Sequence, residues 1–106
     1  GLLSYLTSTR TDVNASVGYY GVGLDEHLGE AENSDVPLML HVAEEDGFVS
    51  KDSQAAIKTA LTKPNHKIYS YPGRDHAFAR NGGEHFHAED AKLANNRTLD
   101  FFKSRL

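Results

Sequence analysis

The stretch from Pro37 to Arg80 leaves this chain few folds to adopt. It reads PLMLHVAEEDGFVS, then one helix's worth of residues, then HKIYSYPGRDHAFAR. Pro37 to Ala43 is nearly all apolar, the pattern of a strand covered on both faces. Asp46 and Gly47 break it, and Ser50 stands where a following helix needs its N-cap. Ala56, Ile57, Ala60 and Leu61 form that helix's apolar stripe, which Lys63-Pro64-Asn65 ends. Lys67 to Tyr71 resumes as a strand, and Pro72-Gly73 closes it before Asp75-His76. Strand, helix and strand make a right-handed βαβ unit with parallel strands. Parallel strands end on one edge of the sheet, so Asp46 and His76, each just past a strand end, are brought toward one another. An Asp followed in chain order by a His on that edge is the acid–base half of a nucleophile–His–Asp triad. The plainer alternative makes Asp46 turn chemistry and His76 polar loop surface.

The rest of the chain supplies one small α/β layer structure. With 106 residues it is one domain at most. Gly1-Leu2-Leu3 opens directly into a helical pattern that runs through Leu6 to a polar end at Thr7-Ser8-Thr9. Val13 to Tyr20 reads as a strand, with Val17, Tyr19 and Tyr20 its strongest β-formers. Leu24 to Asp35 is acidic and weakly periodic, a loop with a short helical turn. From Ala88 a terminal helix is expected, with Leu93, Ala94, Leu99, Phe101, Phe102 and Leu106 on its apolar face. The total is three parallel strands with flanking helices, an α/β fold.

Charge and composition narrow the function. A formal net charge of −4, with Lys and Arg scattered, lacks the basic stripe of a nucleic-acid binder. No apolar run is long enough for a membrane span, and no secretory leader is visible, so the expected setting is cytoplasmic. The chain has no Cys, hence no disulfide, thiolate metal site or thiol nucleophile of its own. Gly21-Val22-Gly23 is half of a dinucleotide fingerprint without the third Gly or the helix in register, and no cofactor is assigned. His85 and His87 could ligate a metal only with a third donor such as His76 or Asp90; no metal is assigned, and the segment reads as a solvated helix entry. His27 and His66 read as surface, and His41 as a buried imidazole hydrogen-bonded within the core. The Tyr19-Tyr20 and Tyr69/Tyr71 pairs read as sheet packing.

At GYYGVGL (Gly18 to Leu24), EEDGFVS (Glu44 to Ser50), GRDHAFAR (Gly73 to Arg80) and LANNRTLDFF (Leu93 to Phe102), the chain resembles the dienelactone hydrolase, or carboxymethylenebutenolidase, family of α/β-hydrolases. The resemblance covers nearly the whole chain, in order and spacing. It implies hydrolysis of a small carboxylate-bearing ester or lactone, with Asp46 orienting the base, His76 as general base and Arg80 binding the substrate carboxylate. An ion pair of Arg80 with Glu84 or Asp75 is the structural alternative for that arginine.

The departure is at the nucleophile, which in that family is a Cys in G-x-C-x-G-G. By the resemblance, residues 1–106 correspond to the C-terminal half of an α/β-hydrolase domain, starting just after that turn. Ser4 is no substitute, since it falls inside the helix. The strand near Val17 is then expected to present an open edge, inviting self-association or pairing with the missing N-terminal half. Negligible turnover is expected of these residues by themselves. The rival function is a non-catalytic interaction module that keeps the hydrolase architecture, and the Asp46–His76 distance discriminates between the two.

Overall fold

The apolar run at Leu38–Ala43, interrupted only by His41, becomes the central strand of a three-stranded parallel sheet, with every one of its residues buried. The computed structural model describes residues 1–11, 13–33, 36–62, 65–79 and 86–105. Helix α1 (Leu2–Arg10) leads to β1 (Ser16–Tyr19), then a 3-10 helix (Leu24–Asn33) and β2 (Leu38–Ala43). Helix α2 (Lys51–Ala60), β3 (His66–Tyr71) and α3 (Ala88–Arg105) complete the order. The sheet order is β1-β2-β3; Tyr19 lies beside His41, and Ala43 beside Tyr71.

The two faces of β2 seed different packing, as its side-chain alternation requires. Leu38, Leu40 and Val42 pack with Tyr5, Leu24, Val49, Ile57 and Leu61 on the side of α1 and α2. Ala43 packs on the other side with Tyr71, Phe78 and Ala94, against α3. Ser50 caps α2 as the sequence leads one to expect: its hydroxyl oxygen accepts from the Ser53 amide at 3.1 Å. Ser50→Ala is expected to cost about 1 kcal/mol in urea unfolding without changing the m-value.

Three expectations are corrected. The first strand spans only Ser16–Tyr19; Val13 is exposed, and Tyr20 leaves the extended region at φ 80°. A side chain at Gly18 would be crowded: a Cβ there would lie 2.8 Å from Leu40 Cδ2 and 3.1 Å from Gly1 Cα, so Leu40 would have to shift. The acidic stretch after Leu24 is two short 3-10 turns meeting at a kink at His27, not a loop with one turn. Buried Leu24 anchors it, and the Tyr5 hydroxyl donates to the His27 carbonyl at 2.7 Å. Helix α3 docks through Ala91, Ala94, Thr98 and Phe101, whereas Leu93 and Leu99 are exposed. At 3.6 residues per turn those two leucines lie about a third of a turn to either side of the docked stripe. Among the described residues no helix is long and apolar enough to cross a membrane.

Candidate active site

The strand ends carry their hydrogen-bond ladder past the sheet, and that extension builds the site. Beyond Ala43, the Glu44 amide donates to the Tyr71 carbonyl at 3.2 Å and the Glu45 amide to the Arg74 carbonyl at 2.8 Å. The next rung uses a side chain. Asp75 Oδ1 accepts from the Gly47 amide at 2.9 Å and from the His76 amide at 2.6 Å. The loop after β2 and the loop after β3 therefore run side by side.

The geometry brings Asp46 and His76 together. His76 Nδ1 lies 3.0 Å from Asp46 Oδ2, and the Asp46 side chain is 1% exposed against 29% for His76. The other carboxylate oxygen, Oδ1, accepts from the Phe48 amide at 2.8 Å, an Asx turn that holds the group in plane. An ionised carboxylate only accepts, so the imidazole proton sits on Nδ1 and the lone pair on Nε2. The buried acid thus sets the tautomer, and the half-exposed ring presents a basic nitrogen.

Aromatic rings hold the imidazole from two sides. The Tyr20 ring centre lies 4.7 Å from that of His76, and Phe48 meets it edge-on at 5.0 Å. Tyr20 has a positive φ of 80°, and its hydroxyl accepts from the Ala79 amide at 3.3 Å. Ala77, next to His76, also has a positive φ of 64°. Such residues cost of order 1–3 kcal/mol each and persist only where the surroundings over-determine them. Burial pushes the Tyr20 phenol up, so it stays neutral beside the imidazole.

In front of His76 is an open cavity of about 320 Å³, lined by Gly1, Leu2, Ser4, Tyr19, Tyr20, Gly21, Val22 and His76. The start of α1 forms one wall, packed so closely that a Cβ on Gly1 would fall 2.7 Å from the Gly21 amide nitrogen. Ser4 lies within α1, and its carbonyl accepts from the Ser16 hydroxyl at 2.8 Å. A second depression, about 240 Å³, lies between β3 and the C-terminal half of α3, at Lys67, Tyr69, Arg97 and Asp100. It does not touch the Asp46–His76 pair.

Three other described histidines, His27, His41 and His87, have structural partners. His87 Nδ1 accepts from the Asp90 amide at 3.2 Å, acting as the N-cap of α3, while the His87 amide donates to the Phe78 carbonyl at 2.8 Å. Asp90 also pairs with Arg74 at 3.1 Å, tying the His76 loop to that helix. His27 faces Glu30 at 3.3 Å, and the Arg10 guanidinium holds the Glu30 carboxyl down at about 2. His66 is half-buried at the start of β3, and His41 is fully buried, hydrogen-bonded through both ring nitrogens. Tyr19 and Tyr71 do more than pack: both hydroxyls join that polar network beneath α3. Among the described residues no three His, Asp or Glu side chains converge as a metal-ligand set. Arg80, Glu84 and His85 fall outside the described residues. Sequence reasoning missed Asp75 as the rung between the loops; its position directly before His76 was the only available signal.

Comparison with known proteins places the chain in a family. A family model described as the dienelactone hydrolase family matches residues 1–106. A carboxymethylenebutenolidase homologue of Azospirillum brasilense is 48% identical over 105 residues, covering 98% of this chain and 46% of the relative. Carboxymethylenebutenolidase of Pseudomonas putida is 34% identical over 102 residues, covering 95% and 43% respectively. Among solved structures, a dienelactone hydrolase homologue from Klebsiella pneumoniae superposes with a TM-score of 0.65 at 27% identity, covering 72% of this chain and 32% of that one. The chain spans less than half the length of the curated relatives it matches.

Proposed function

This chain belongs to the dienelactone hydrolase family, and on that premise we propose that it carries the acid–base half of an ester or lactone hydrolase. The substrate class is a small lactone or ester bearing a carboxylate. Residues 1–106 are read as one partial α/β-hydrolase domain, with nucleophile and oxyanion donors supplied by an N-terminal half that pairs with it; self-association through the open edge of β1 is the other association expected, and it supplies no nucleophile. The observation that carries the reading is the 3.0 Å contact between His76 Nδ1 and an Asp46 carboxylate whose other oxygen is pinned by Phe48. A non-catalytic module has no need to bury an acid against a half-exposed imidazole.

In this reading His76 Nε2 takes the proton from the nucleophile as it attacks the carbonyl carbon. The imidazolium so formed is stabilised by Asp46, which stays ionised. His76 then returns the proton to the leaving alkoxide as the ester C–O bond breaks. In the second half the same nitrogen takes a proton from water as it attacks the acyl carbon, and gives that proton to the nucleophile as its bond to the acyl carbon breaks and the acid is released. Arg80, four residues after the base, offers a planar fork for the substrate carboxylate and so holds the lactone in register.

The test compares an acidic lactone with its neutral amide on the full-length protein. Arg80→Ala is expected to raise KM for the acid about tenfold, the value of a charge-assisted hydrogen bond, and to leave the amide unaffected. Equal turnover of acid and amide by the wild type would remove the carboxylate from the proposal.

A further inference from the structure

We infer that Asp75 is a positioning residue, the side-chain rung that sets the distance between the acid loop and the base loop. The inference rests on Asp46 and His76 being the acid–base pair, and assigns the device that keeps them in register. Main-chain pairing between the two loops runs Glu44 to Tyr71 and then Glu45 to Arg74. The next pairing needs an acceptor opposite the Gly47 amide, at the point where the base loop turns. Asp75 Oδ1 supplies it at 2.9 Å and accepts from the His76 amide at 2.6 Å through the same atom.

One oxygen therefore joins the residue after the acid to the backbone of the base. Gly47 follows Asp46 directly, and Phe48 one residue further on donates to the other Asp46 oxygen. A shift of the Gly47 rung is transmitted to both ends of the Asp46–His76 bond. Next in the chain is Ala77, whose φ of 64° turns the base loop away and needs its neighbours fixed. The Asp75 oxygen bonded to two amides fixes one of them.

The function asked of Asp75 is geometric, so an acceptor of the same shape should serve. Asp75→Asn keeps an oxygen at that point; Asp75→Ala removes it, and Asp75→Glu keeps the charge but moves the oxygen by a methylene. In the full-length protein, Asp75→Ala and Asp75→Glu are expected to lower kcat by about 10–30-fold, short of the roughly 10²-fold cost of a full 1 Å misplacement. KM should stay within about twofold, and Asp75→Asn should retain at least about a third of wild-type kcat. A second readout is independent of turnover: the hydrogen-bonded imidazole Nδ1–H proton, seen downfield by NMR, persists in Asp75→Asn and is lost to water exchange in the other two. If Asp75→Ala does not fold, Asp75→Asn against Asp75→Glu decides the matter. Loss of melting temperature with kcat and the Nδ1–H signal intact would reduce Asp75 to a structural staple and overturn the inference, as would Asp75→Asn failing as badly as Asp75→Glu. Failure of the hydrolase reading shows differently: the wild type would turn over neither acidic lactones nor esters, while the NMR response to Asp75 stood.

Discussion

Asp46→Asn in the full-length protein is expected to lower kcat by about 10³–10⁴-fold with little change in KM, and His76→Ala to cost at least as much. The size follows from how Asp46 is held. Its Oδ1 is claimed by the Phe48 amide, a donor, so the amide oxygen of an asparagine has to stay on that side. The new NH₂ then faces His76 Nδ1, 3.0 Å away, and a donor there turns Nδ1 into the acceptor. The ring proton moves to Nε2, where the base is required, and the imidazolium loses its counter-charge. Because the substitution is isosteric in a buried site, the fold should survive and kcat alone report the tautomer. The double variant should be no worse than His76→Ala, since one residue acts only through the other. A kcat for Asp46→Asn within tenfold of wild type, with the melting temperature unchanged, would sink the assignment of this pair.

What could be read in advance, and what could not, divides along physical lines. The central strand was legible because Leu38–Ala43 admits no exposed face, and the helix after it because Ser50 and the Ile57 stripe agree with one another. With those in place, parallel-strand geometry alone carries Asp46 and His76 to one edge. Tertiary choices were not legible. Thr98 wins a place on the docked face of α3 over Leu93 and Leu99 because a buried imidazole is waiting for it, and polarity patterns weigh leucine above threonine. Among the described side chains of the 3-10 segment, Leu24 and Leu28 are the apolar ones packed against the core, too few to show a period. His87 resembled half of a metal site until its ring proved to be capping a helix. Asp75 was hidden for a similar reason: an acidic residue beside a histidine says nothing about which backbone amides it will meet.

The buried His41 carries the second large expectation, that stability falls by about 3 kcal/mol between pH 7 and pH 4 through this one side chain. The hydrogen bonds around it have a direction. Arg97 can only donate, and its Nη1 gives to the Tyr71 hydroxyl oxygen at 3.2 Å. Tyr71 in turn donates to His41 Nδ1 at 2.7 Å; His41 Nε2–H donates to Thr98 Oγ1 at 2.9 Å, and Thr98 donates to the Ala94 carbonyl at 3.0 Å. The Tyr19 ring, 4.6 Å away, and the Tyr69 ring, 6.0 Å away, close the remaining sides, with the Arg97 guanidinium 4.1 Å above Tyr69. A proton on Nδ1 would set two donors against each other, in a site already dry and beside a fixed cation. Burial first, and Arg97 second, lower the His41 pKa from 6.5 to about 4. Between those values the unfolded chain binds a proton that the folded chain refuses, so stability rises with pH across that window and is lost as pH falls through it. His41→Gln keeps a donor toward Thr98 and cannot titrate. Its unfolding free energy in urea should be lower at pH 7, yet its decline from pH 6.5 to 4 should be shallower than wild type by about 3 kcal/mol. Parallel pH profiles for the two proteins would mean that His41 accepts its proton in place, and that the polar chain under α3 reverses without cost.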